Sequence, residues 1–229
     1  MVVGNGLLAR CFSNFASVND VTIFASGVSN SQEKDPVEFE KEIEKIKNLS
    51  GTSSKFIYFS TVSVHDPDLA DSPYIRHKLK IEELIRSEFS RYIVFRLPIV
   101  VGRTDNPHTL TNFLFNQIKN HEVVTIFKNA CRYLVDIDDV NLLLSGMISS
   151  ATFDNNIVDI NFNNAIGINE LVGVYEQVLG VGVNKSYVEK GGCYETRNGQ
   201  FISYAREINF ELSADYIYRV IEKYYKHQF

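Results

Sequence analysis

Short runs of apolar residues alternate along the first half of the chain with longer segments whose apolar residues recur every three or four positions. The runs predict β-strands and the segments predict amphipathic helices. Strands are predicted at residues 1–3, 21–24, 56–59 and 92–95, and helices at residues 7–15, 36–49 and 73–87. Such alternation is typical of an α/β protein with a parallel sheet and helices on both of its faces.

The second half alternates in the same way. Helices are predicted at residues 111–119, 136–149, 169–179 and 213–225, and strands at residues 123–127, 133–135, 157–162 and 186–189. We find no internal repeat and no low-complexity linker. Residues 1–229 are therefore expected to form one compact unit with a cleft between its halves.

Composition and charge narrow the possible classes of protein. The 229 residues are 45% hydrophobic and 22% charged, as in ordinary globular proteins, and no apolar run approaches the ~20 residues that span a bilayer. The net charge is −5 without a basic stripe, which argues against a nucleic-acid partner. We also expect no membrane association, and the N-terminus lacks the pattern of a signal peptide.

The cysteines are few and scattered. Cys11, Cys131 and Cys193 are an odd number at wide separations, which argues against a disulfide framework and against a zinc site. We expect all three to be buried or idle thiols, no metal to be bound, and the protein to be cytoplasmic.

The residues with the most informative spacing are Tyr74 and Lys78. Four positions apart on a helix, they lie on one face about one turn from each other. A nearby ammonium favours the phenolate, so Lys78 is predicted to lower the pKa of Tyr74 and to suit it for proton transfer near neutral pH. Thr61, at the end of a predicted strand, could hold the same substrate oxygen. A solvated helix face is the alternative interpretation of this spacing.

A glycine-rich turn follows the first predicted strand. Gly4, Gly6 and Ala9 match the pattern that binds the pyrophosphate of a dinucleotide between a strand and a helix. The acidic residue that usually follows about twenty residues later, at the end of a second strand, has no counterpart, because Asp20 precedes a strand. The second and third strands of a Rossmann sheet are therefore predicted to be absent, which leaves the strand at residues 1–3 at the sheet edge. We expect a dimer partner or the C-terminal segment to cover this edge.

With these residues in place, the chain resembles the extended short-chain dehydrogenase/reductase family, in its nucleotide-sugar epimerase/dehydratase branch. Residues 56–64 are similar to the strand that ends in the catalytic Ser or Thr, and residues 72–83 to the S-P-Y-x-x-x-K helix. Residues 96–102 resemble the strand that passes the nicotinamide, and residues 132–140 the R-x-x-x-x-x-x-D-V segment. Residues 161–163 and the helix from Asn169 resemble the family's late strand and helix.

The resemblance implies a Rossmann-like sheet and a small C-terminal α/β substrate lobe. Residues 1–105 would be mainly the dinucleotide-binding part. Residues 106–229 would be mainly the substrate lobe, with residues 124–162 returning strands to the sheet.

The resemblance also implies residue roles. Tyr74 would donate or accept the proton, Thr61 would bind the reacting oxygen, and Lys78 would bind the nicotinamide ribose of NAD or NADP. The cofactor would further contact the following residues: Gly4, Gly6, Leu7, Leu8, Ala9, Ala25, Ser60, Tyr74, Pro98 and Ile99. Ser63, His108 and Arg132 would bind the nucleotide sugar, with Arg132 at its diphosphate.

Two departures from the family pattern limit the reaction. Dehydratases of this branch carry Asp-Glu after the catalytic Thr, where this chain has Val62 and Ser63, so a 4,6-dehydratase is disfavoured. Residues 102–108 resemble the G-x-x-D-N-x-H segment of GDP-fucose synthases, in which His108 would match an epimerisation acid, but Ser63 stands where those enzymes have a Cys base.

Three functions stay open from the sequence. The first is an NAD(P)-dependent 4-ketoreductase or epimerase that acts on a nucleotide-linked sugar. The second is a non-catalytic relative that serves as a regulatory or assembly partner. The third is an enzyme that acts on a carbonyl compound without a nucleotide.

Overall fold

A computed structural model describes residues 1–162 and 164–229. Asn163, which belongs to the segment 161–163 of the resemblance, lies outside the described residues. The main sheet has five parallel strands in the order β1-β2-β3-β4-β9. Its strands are β1 (Val2–Val3), β2 (Val21–Phe24), β3 (Lys55–Thr61), β4 (Tyr92–Leu97) and β9 (Asn156–Asp159).

Helices cover both faces of this sheet, as predicted. They are α1 (Leu7–Cys11), α2 (Pro36–Lys47), α3 (Pro73–Glu88), α4 (Leu110–Lys119), α5 (Ile137–Ser149), α6 (Ile168–Leu179), α7 (Gly199–Glu207) and α8 (Tyr216–Tyr225). Alternate residues of β3 enter two different cores, with Phe56 and Tyr58 packed against α2 and α3, and Ile57 and Phe59 in the larger core on the other face. A fully buried strand of this kind needs apolar residues at every position, which explains the continuous apolar run.

Side-chain caps explain where several helices begin. Asp35 accepts a hydrogen bond from the Val37 N–H, and Pro36 occupies the first turn of α2. Ser72 caps α3 by accepting from the Ile75 N–H, which places Tyr74 in the first turn. These local signals fix the start of the helix that carries Tyr74 and Lys78.

The remaining strands form separate pairs beside the main sheet. They are β5 (Ile99–Val101) with β8 (Leu134–Asp136), β6 (Val124–Phe127) with β11 (Lys185–Val188), and β7 (Cys131–Arg132) with β10 (Ile166–Gly167). Of the strands in residues 124–162, β9 returns to the main sheet, whereas β6, β7 and β8 pair elsewhere.

One predicted helix is shorter in the structure, and one observed helix was not predicted. The helix expected at residues 7–15 ends as α1 at Cys11, and a 3-10 helix follows at Ser13–Ser17. The sequence analysis missed α7, where Phe201 and Ala205 face the core from a largely polar segment.

β1 is an edge strand of the main sheet and pairs with β2. The amino group of Met1 donates hydrogen bonds to the carbonyl oxygens of Val18 and Val21. The C-terminal helix α8 packs against α6 and β8 and does not form the cover over β1 that we expected. A dimer partner at this edge stays a prediction. Within the described parts of the chain, no helix has both the length and the apolar character needed to cross a bilayer.

The prediction that all three cysteines are idle thiols is wrong for two of them. Cys131 and Cys193 form a disulfide across 62 residues of sequence, with their Cα atoms 5.1 Å apart. The pairing arises because Cys131 on β7 lies beside the segment 189–193 in the folded chain, where Cys131 N–H donates to the Gly192 carbonyl oxygen. Cys11 is free and half-buried.

We expect thiol titration of the unfolded, unreduced protein to find one thiol per chain, and three after reduction. In the native protein Cys11 should react slowly at neutral pH, because burial, together with the charge of Asp138, raises its pKa to about 12. Cys193→Ser is the matched control and should give two thiols before reduction. Three thiols in the unreduced wild-type protein would contradict the disulfide.

Candidate functional site

Several predicted site residues lie where the parallel strands of the main sheet end. Gly4 follows β1, Ala25 follows β2, Thr61 is the last residue of β3, and Pro98 follows β4. The helix α3 packs against the 3-10 helix Val62–His65 that begins after Thr61. The carboxyl ends of parallel strands are the usual location of ligands in such folds.

The glycine turn has one closed side and one open side. Gly4 has φ +124°, and a Cβ there would lie 2.5 Å from the Ala25 carbonyl oxygen, so this position requires glycine. A Cβ on Gly6 would meet no atom within 4 Å, so its backbone is open to an approaching group. Arg10 closes the turn from α1 by donating to the Asn5 carbonyl oxygen at 3.1 Å. Ala9 is buried, as its packing role requires.

The loop after β2 connects the glycine turn to Lys78. Ala25 lies against Gly4, and two residues later a Cβ on Gly27 would lie 3.2 Å from Lys78 Nζ. The turn and the Tyr74–Lys78 helix are therefore separated by a single short loop, although they are seventy residues apart in sequence.

Tyr74 and Lys78 lie on one buried face of α3, as predicted. Tyr74 is 8% exposed and Lys78 is 3% exposed. The Lys78 ammonium lies 5.7 Å from the centroid of the Tyr74 ring, and 4.9 Å from that of Tyr58. Lys78 thus faces the rings of both tyrosines.

Lys78 is held by a buried network from three elements. It donates a hydrogen bond to the Tyr58 hydroxyl at 2.7 Å and lies 3.5 Å from Glu42 Oε1. Tyr58 in turn donates to Glu42 Oε1 at 2.7 Å. The other carboxylate oxygen, Oε2, lies 2.9 Å from His77 Nε2 and accepts from the Val28 N–H at 2.7 Å. The Glu42 carboxylate is thereby satisfied on both oxygens.

This network corrects the prediction that Lys78 makes Tyr74 acidic. Burial, followed by the negative charge of Glu42, raises the pKa of Tyr74 far above its ordinary value. Burial alone would also raise the pKa of Glu42, but Lys78, His77 and the other donors outweigh it and lower that pKa to about 2. Lys78 is therefore paired with a carboxylate, and Tyr74 is a protonated phenol.

Thr61, Ser60 and Ser63 have separate environments. The half-buried Thr61 Oγ1 accepts from the Ser63 N–H at 3.1 Å. Ser60 is buried and donates to Glu82 Oε1 at 2.6 Å, so its hydroxyl is occupied within the protein. The Ser63 hydroxyl is hydrogen-bonded to Tyr194.

A second charged network lies at the ends of β3, β4 and β9. Arg96 forms two hydrogen bonds to the Glu82 carboxylate, at 2.9 and 2.6 Å, and lies 3.5 Å from Asp159 Oδ1. His65 Nε2 lies 2.7 Å from Asp159 Oδ2, which also accepts from the Arg197 N–H. Burial by itself would raise the pKa of Asp159, but His65 and the other donors outweigh this effect and lower that pKa. The sequence analysis found none of these pairs.

The predicted substrate residues are only partly grouped. The Arg132 guanidinium donates to the Cys131 carbonyl oxygen and lies 3.7 Å from Asp66 Oδ2. Its neighbour Tyr133 packs with Val62 and Tyr194. Arg132 thus lies close to the segment that follows Thr61.

The other predicted contact residues occupy separate elements. His108 is exposed in the loop before α4, and its N–H donates to Asn106 Oδ1. Ile99 begins β5 and donates its N–H to the Tyr133 carbonyl oxygen. Leu7 and Leu8 lie in α1 and pack against the larger core.

Glu42 is the most important residue that the sequence analysis missed. It lies on the apolar face of α2 with Phe39, Ile43 and Ile46, and it is 2% exposed. An acidic residue within an apolar stripe is a signal for a buried partner, because glutamate is almost never buried unpaired. No feature of the neighbouring sequence, however, identifies that partner.

The structure of the chain is similar to those of several proteins that were solved with a nicotinamide dinucleotide. UDP-glucuronic acid 4-epimerase from Bacillus cereus, solved with UDP-glucuronic acid and NAD, is 19% identical, and the match covers 98% of this chain and 81% of that one with a TM-score of 0.69. The protein RMD from Pseudomonas aeruginosa, solved with NADPH, is 16% identical over 99% of this chain and 89% of that one, with a TM-score of 0.69.

UDP-glucose 4-epimerase from Thermus thermophilus, solved with NAD, is 12% identical over 97% of this chain and 83% of that one, with a TM-score of 0.69. No protein-family model and no curated protein matches the chain. The predicted fold is confirmed: the chain shares its Rossmann-like α/β fold with these epimerases.

Proposed function

We propose that this protein is a nicotinamide-dependent oxidoreductase or epimerase that acts on a nucleotide-linked sugar. One observation carries the proposal: the loop 25–28 lies against the glycine turn at Gly4 and against Lys78, which shares a buried face of α3 with Tyr74. A dinucleotide lying along this loop would reach from Gly6 to Tyr74. The similar solved structures contain NAD or NADPH. Two of these proteins are epimerases that are named after a UDP-sugar.

The residues fit a dinucleotide better at the turn than at Lys78. The open side of Gly6 leaves room for a pyrophosphate to approach the backbone. α1 has only five residues, so the helix contributes less to phosphate binding than a longer one would. Lys78 is occupied by Tyr58 and Glu42, and we therefore do not assign it to the nicotinamide ribose.

The other roles follow the chemistry of the site. A bound nicotinamide would supply or accept hydride at the carbon that carries the reacting oxygen. Tyr74 transfers the proton at that oxygen, and Thr61 donates a hydrogen bond to it. Arg132 binds the substrate diphosphate, since a guanidinium pairs well with phosphate oxygens. Ser63, in the segment that follows Thr61, and His108, in the loop before α4, are further candidates for contacts to the sugar.

The second candidate is a non-catalytic relative that has kept the fold. The internal pairing of Lys78 with Glu42 favours it, because this lysine then has a structural role without any cofactor. Such a protein would fold normally and bind neither NADH nor NADPH. Cofactor binding therefore discriminates between the two candidates.

We expect calorimetry to show binding of NADH or NADPH to the wild-type protein, and Gly6→Val to weaken it at least about tenfold. The valine side chain would fill the open side of the turn and remove about 1.4 kcal/mol or more of binding free energy. Gly6 has φ −74°, so valine is compatible with its backbone.

Gly173→Val is the matched control, since a Cβ at Gly173 also meets no atom within 4 Å and lies in α6. It should bind as the wild-type protein does. Folded wild-type protein that binds neither dinucleotide would reject the enzyme and favour the non-catalytic candidate.

A further inference from the structure

The disulfide Cys131–Cys193 lies next to residues of the proposed site, although the proposed reaction needs no thiol. Cys131 is on β7, and Cys193 is in residues 189–198 (the cysteine loop), which connect β11 to α7 without a helix or strand. The two residues differ in exposure, because Cys131 is buried and Cys193 is exposed. A reagent in solution therefore reaches the bond from the Cys193 side.

The cysteine loop contacts the segment that follows Thr61. Tyr194 comes directly after the loop cysteine, is buried, and packs on the Tyr133 ring with the centroids 5.5 Å apart. Its carbonyl oxygen accepts a hydrogen bond from the Tyr133 hydroxyl. Its side chain is hydrogen-bonded to Ser63, whose N–H donates to Thr61 Oγ1 at 3.1 Å. Two hydrogen bonds thus connect Tyr194 to Thr61 through Ser63.

The other half of the disulfide is next to Arg132, to which we assign the substrate diphosphate. The Arg132 guanidinium donates to the carbonyl oxygen of Cys131 at 2.6 Å. The backbone of the cysteine loop lies close to β7 here, since a Cβ on Gly191 would lie 2.6 Å from Ala130 Cβ. The disulfide therefore joins the chain segment that carries Arg132 to the segment that carries Tyr194.

The second half of the cysteine loop is attached without sulfur. The Arg197 N–H donates to Asp159 Oδ2 at 2.8 Å, and Asn161 Nδ2 donates to Thr196 Oγ1 at 2.9 Å. These hydrogen bonds do not depend on the disulfide. Cleavage of the disulfide would therefore loosen the first half of the loop while the second half stays attached to the main sheet.

We propose that the Cys131–Cys193 disulfide is a thiol–disulfide exchange site, and that its reduction by a dithiol loosens the cysteine loop and weakens the binding of a substrate diphosphate at Arg132. Dinucleotide binding at the glycine turn, which other elements form, is unchanged. The effect on the substrate rests on the proposed function, whereas the exchange and the loosening of the loop do not.

The exchange balances in electrons and protons. A thiolate of the dithiol attacks the exposed Cys193 Sγ, the Sγ–Sγ bond breaks, and Cys131 leaves as a thiolate that takes a proton from solvent. The second sulfur of the dithiol, after losing its proton, attacks the mixed disulfide and releases the Cys193 thiolate, which is also protonated. Two electrons pass to the protein, and the dithiol becomes a cyclic disulfide.

The first test locates the attacked sulfur with glutathione, a monothiol that stops at the mixed disulfide. Folded wild-type protein is exposed briefly, quenched with acid and digested with trypsin, which places Cys131 in peptide 129–132 and Cys193 in peptide 191–197. We expect the adduct on peptide 191–197, because Cys193 is the exposed partner. An adduct on peptide 129–132 alone, or exchange only in denaturant, would overturn the proposal.

The second test measures the loosening of the loop by limited proteolysis. The exposed residues Lys190 and Arg197 are trypsin sites on either side of Cys193. We expect reduction with dithiothreitol to speed cleavage after Lys190 at least about tenfold, because limited proteolysis follows the population of the open loop. Equal cleavage rates in the oxidised and reduced protein would contradict the loosening.

Two variants accompany the proteolysis. Cys193→Ser should be cleaved at the reduced rate without any reductant. Cys11→Ser, which removes the cysteine outside the disulfide, should behave as the wild-type protein does in both redox states. If Cys193→Ser does not fold, reduction and reoxidation of the wild-type protein still decide the result, since reoxidation should restore the slow rate.

The third test uses calorimetry with UDP and with NADH or NADPH. We expect reduction to weaken UDP binding at least about threefold, because a charged donor contributes less to affinity when it is not held in place. Equal UDP affinity in both redox states, or no UDP binding in either, would overturn the coupling to Arg132. Failure to bind either dinucleotide rejects the proposed function instead, and the proteolysis still decides the loosening, so the two failures are distinguishable.

Discussion

Tyr74→Phe is expected to lower the rate of reduction of a UDP-linked 4-keto sugar by about 10²–10⁴-fold. The variant removes only the hydroxyl, and the phenyl ring still fills the buried position in the first turn of α3. Dinucleotide affinity should stay within about twofold of the wild-type value, because the glycine turn is unchanged. The measurement is steady-state kinetics together with calorimetry on the same preparations.

Tyr92→Phe is the matched control. Tyr92 on β4 has the same exposure as Tyr74, 8%, but it packs in the core below the site. Its variant should keep the wild-type rate. Full activity of Tyr74→Phe would show that another group transfers the proton, and equal losses in both variants would point to a general effect of removing a buried hydroxyl.

Lys78→Met is expected to destabilise the protein by roughly 3–5 kcal/mol, since it leaves the buried Glu42 carboxylate without its opposite charge. For a chain of this length that corresponds to a fall in melting temperature of roughly 6–20 °C. The double variant Glu42→Gln/Lys78→Met removes both charges and should be more stable than Lys78→Met. Thermal unfolding of the three proteins checks this.

The exposed pair Lys41–Glu38 on the same helix provides the control for Lys78→Met. Both side chains are about half exposed, and Lys41→Met should leave the melting temperature essentially unchanged. If Lys78→Met melted at the wild-type temperature, the lysine and the carboxylate could not form the buried pair.

The same pair predicts a pH dependence with a definite sign. The pKa of Glu42 is lowered from 4.5 to about 2 in the folded protein. Its contribution to the free energy of unfolding is therefore fully present above pH 4.5 and is lost as the pH falls toward 2. A pKa shift of this size corresponds to about 3 kcal/mol of free energy of unfolding. Between pH 5 and 2, the free energy of unfolding should therefore fall more for the wild-type protein than for Glu42→Gln/Lys78→Met.

Much of the fold is predictable from local signals. The strand–helix alternation located β2, β3 and β4 to within a few residues, because buried parallel strands need continuous apolar runs. The predicted starts at residues 36 and 73 coincide with those of α2 and α3, where the side chains of Asp35 and Ser72 cap the helices. The strands β6, β8 and β11 were also predicted to within one residue, whereas the two-residue strands β7 and β10 and the helix α7 carry weaker patterns and were missed.

The candidate site was predictable only in part. The spacing of Tyr74 and Lys78 guarantees that they share a helix face, and their positions near Thr61 follow from the parallel sheet. The electrostatics of the pair could not be predicted in the same way. They depend on Glu42, which lies 36 residues before Lys78 and reaches it only through the packing of α2 on α3.

By itself, the sequence determined the class of fold, the order of strands and helices, and the helix face that Tyr74 and Lys78 share, because periodicity and capping act over a few residues. The tertiary structure decided which buried groups meet: Lys78 with Glu42 and Tyr58, His65 with Asp159, and Cys131 with Cys193. The physical reason is that the partner of a buried charge or thiol is chosen by long-range packing of elements, and no local pattern records that choice.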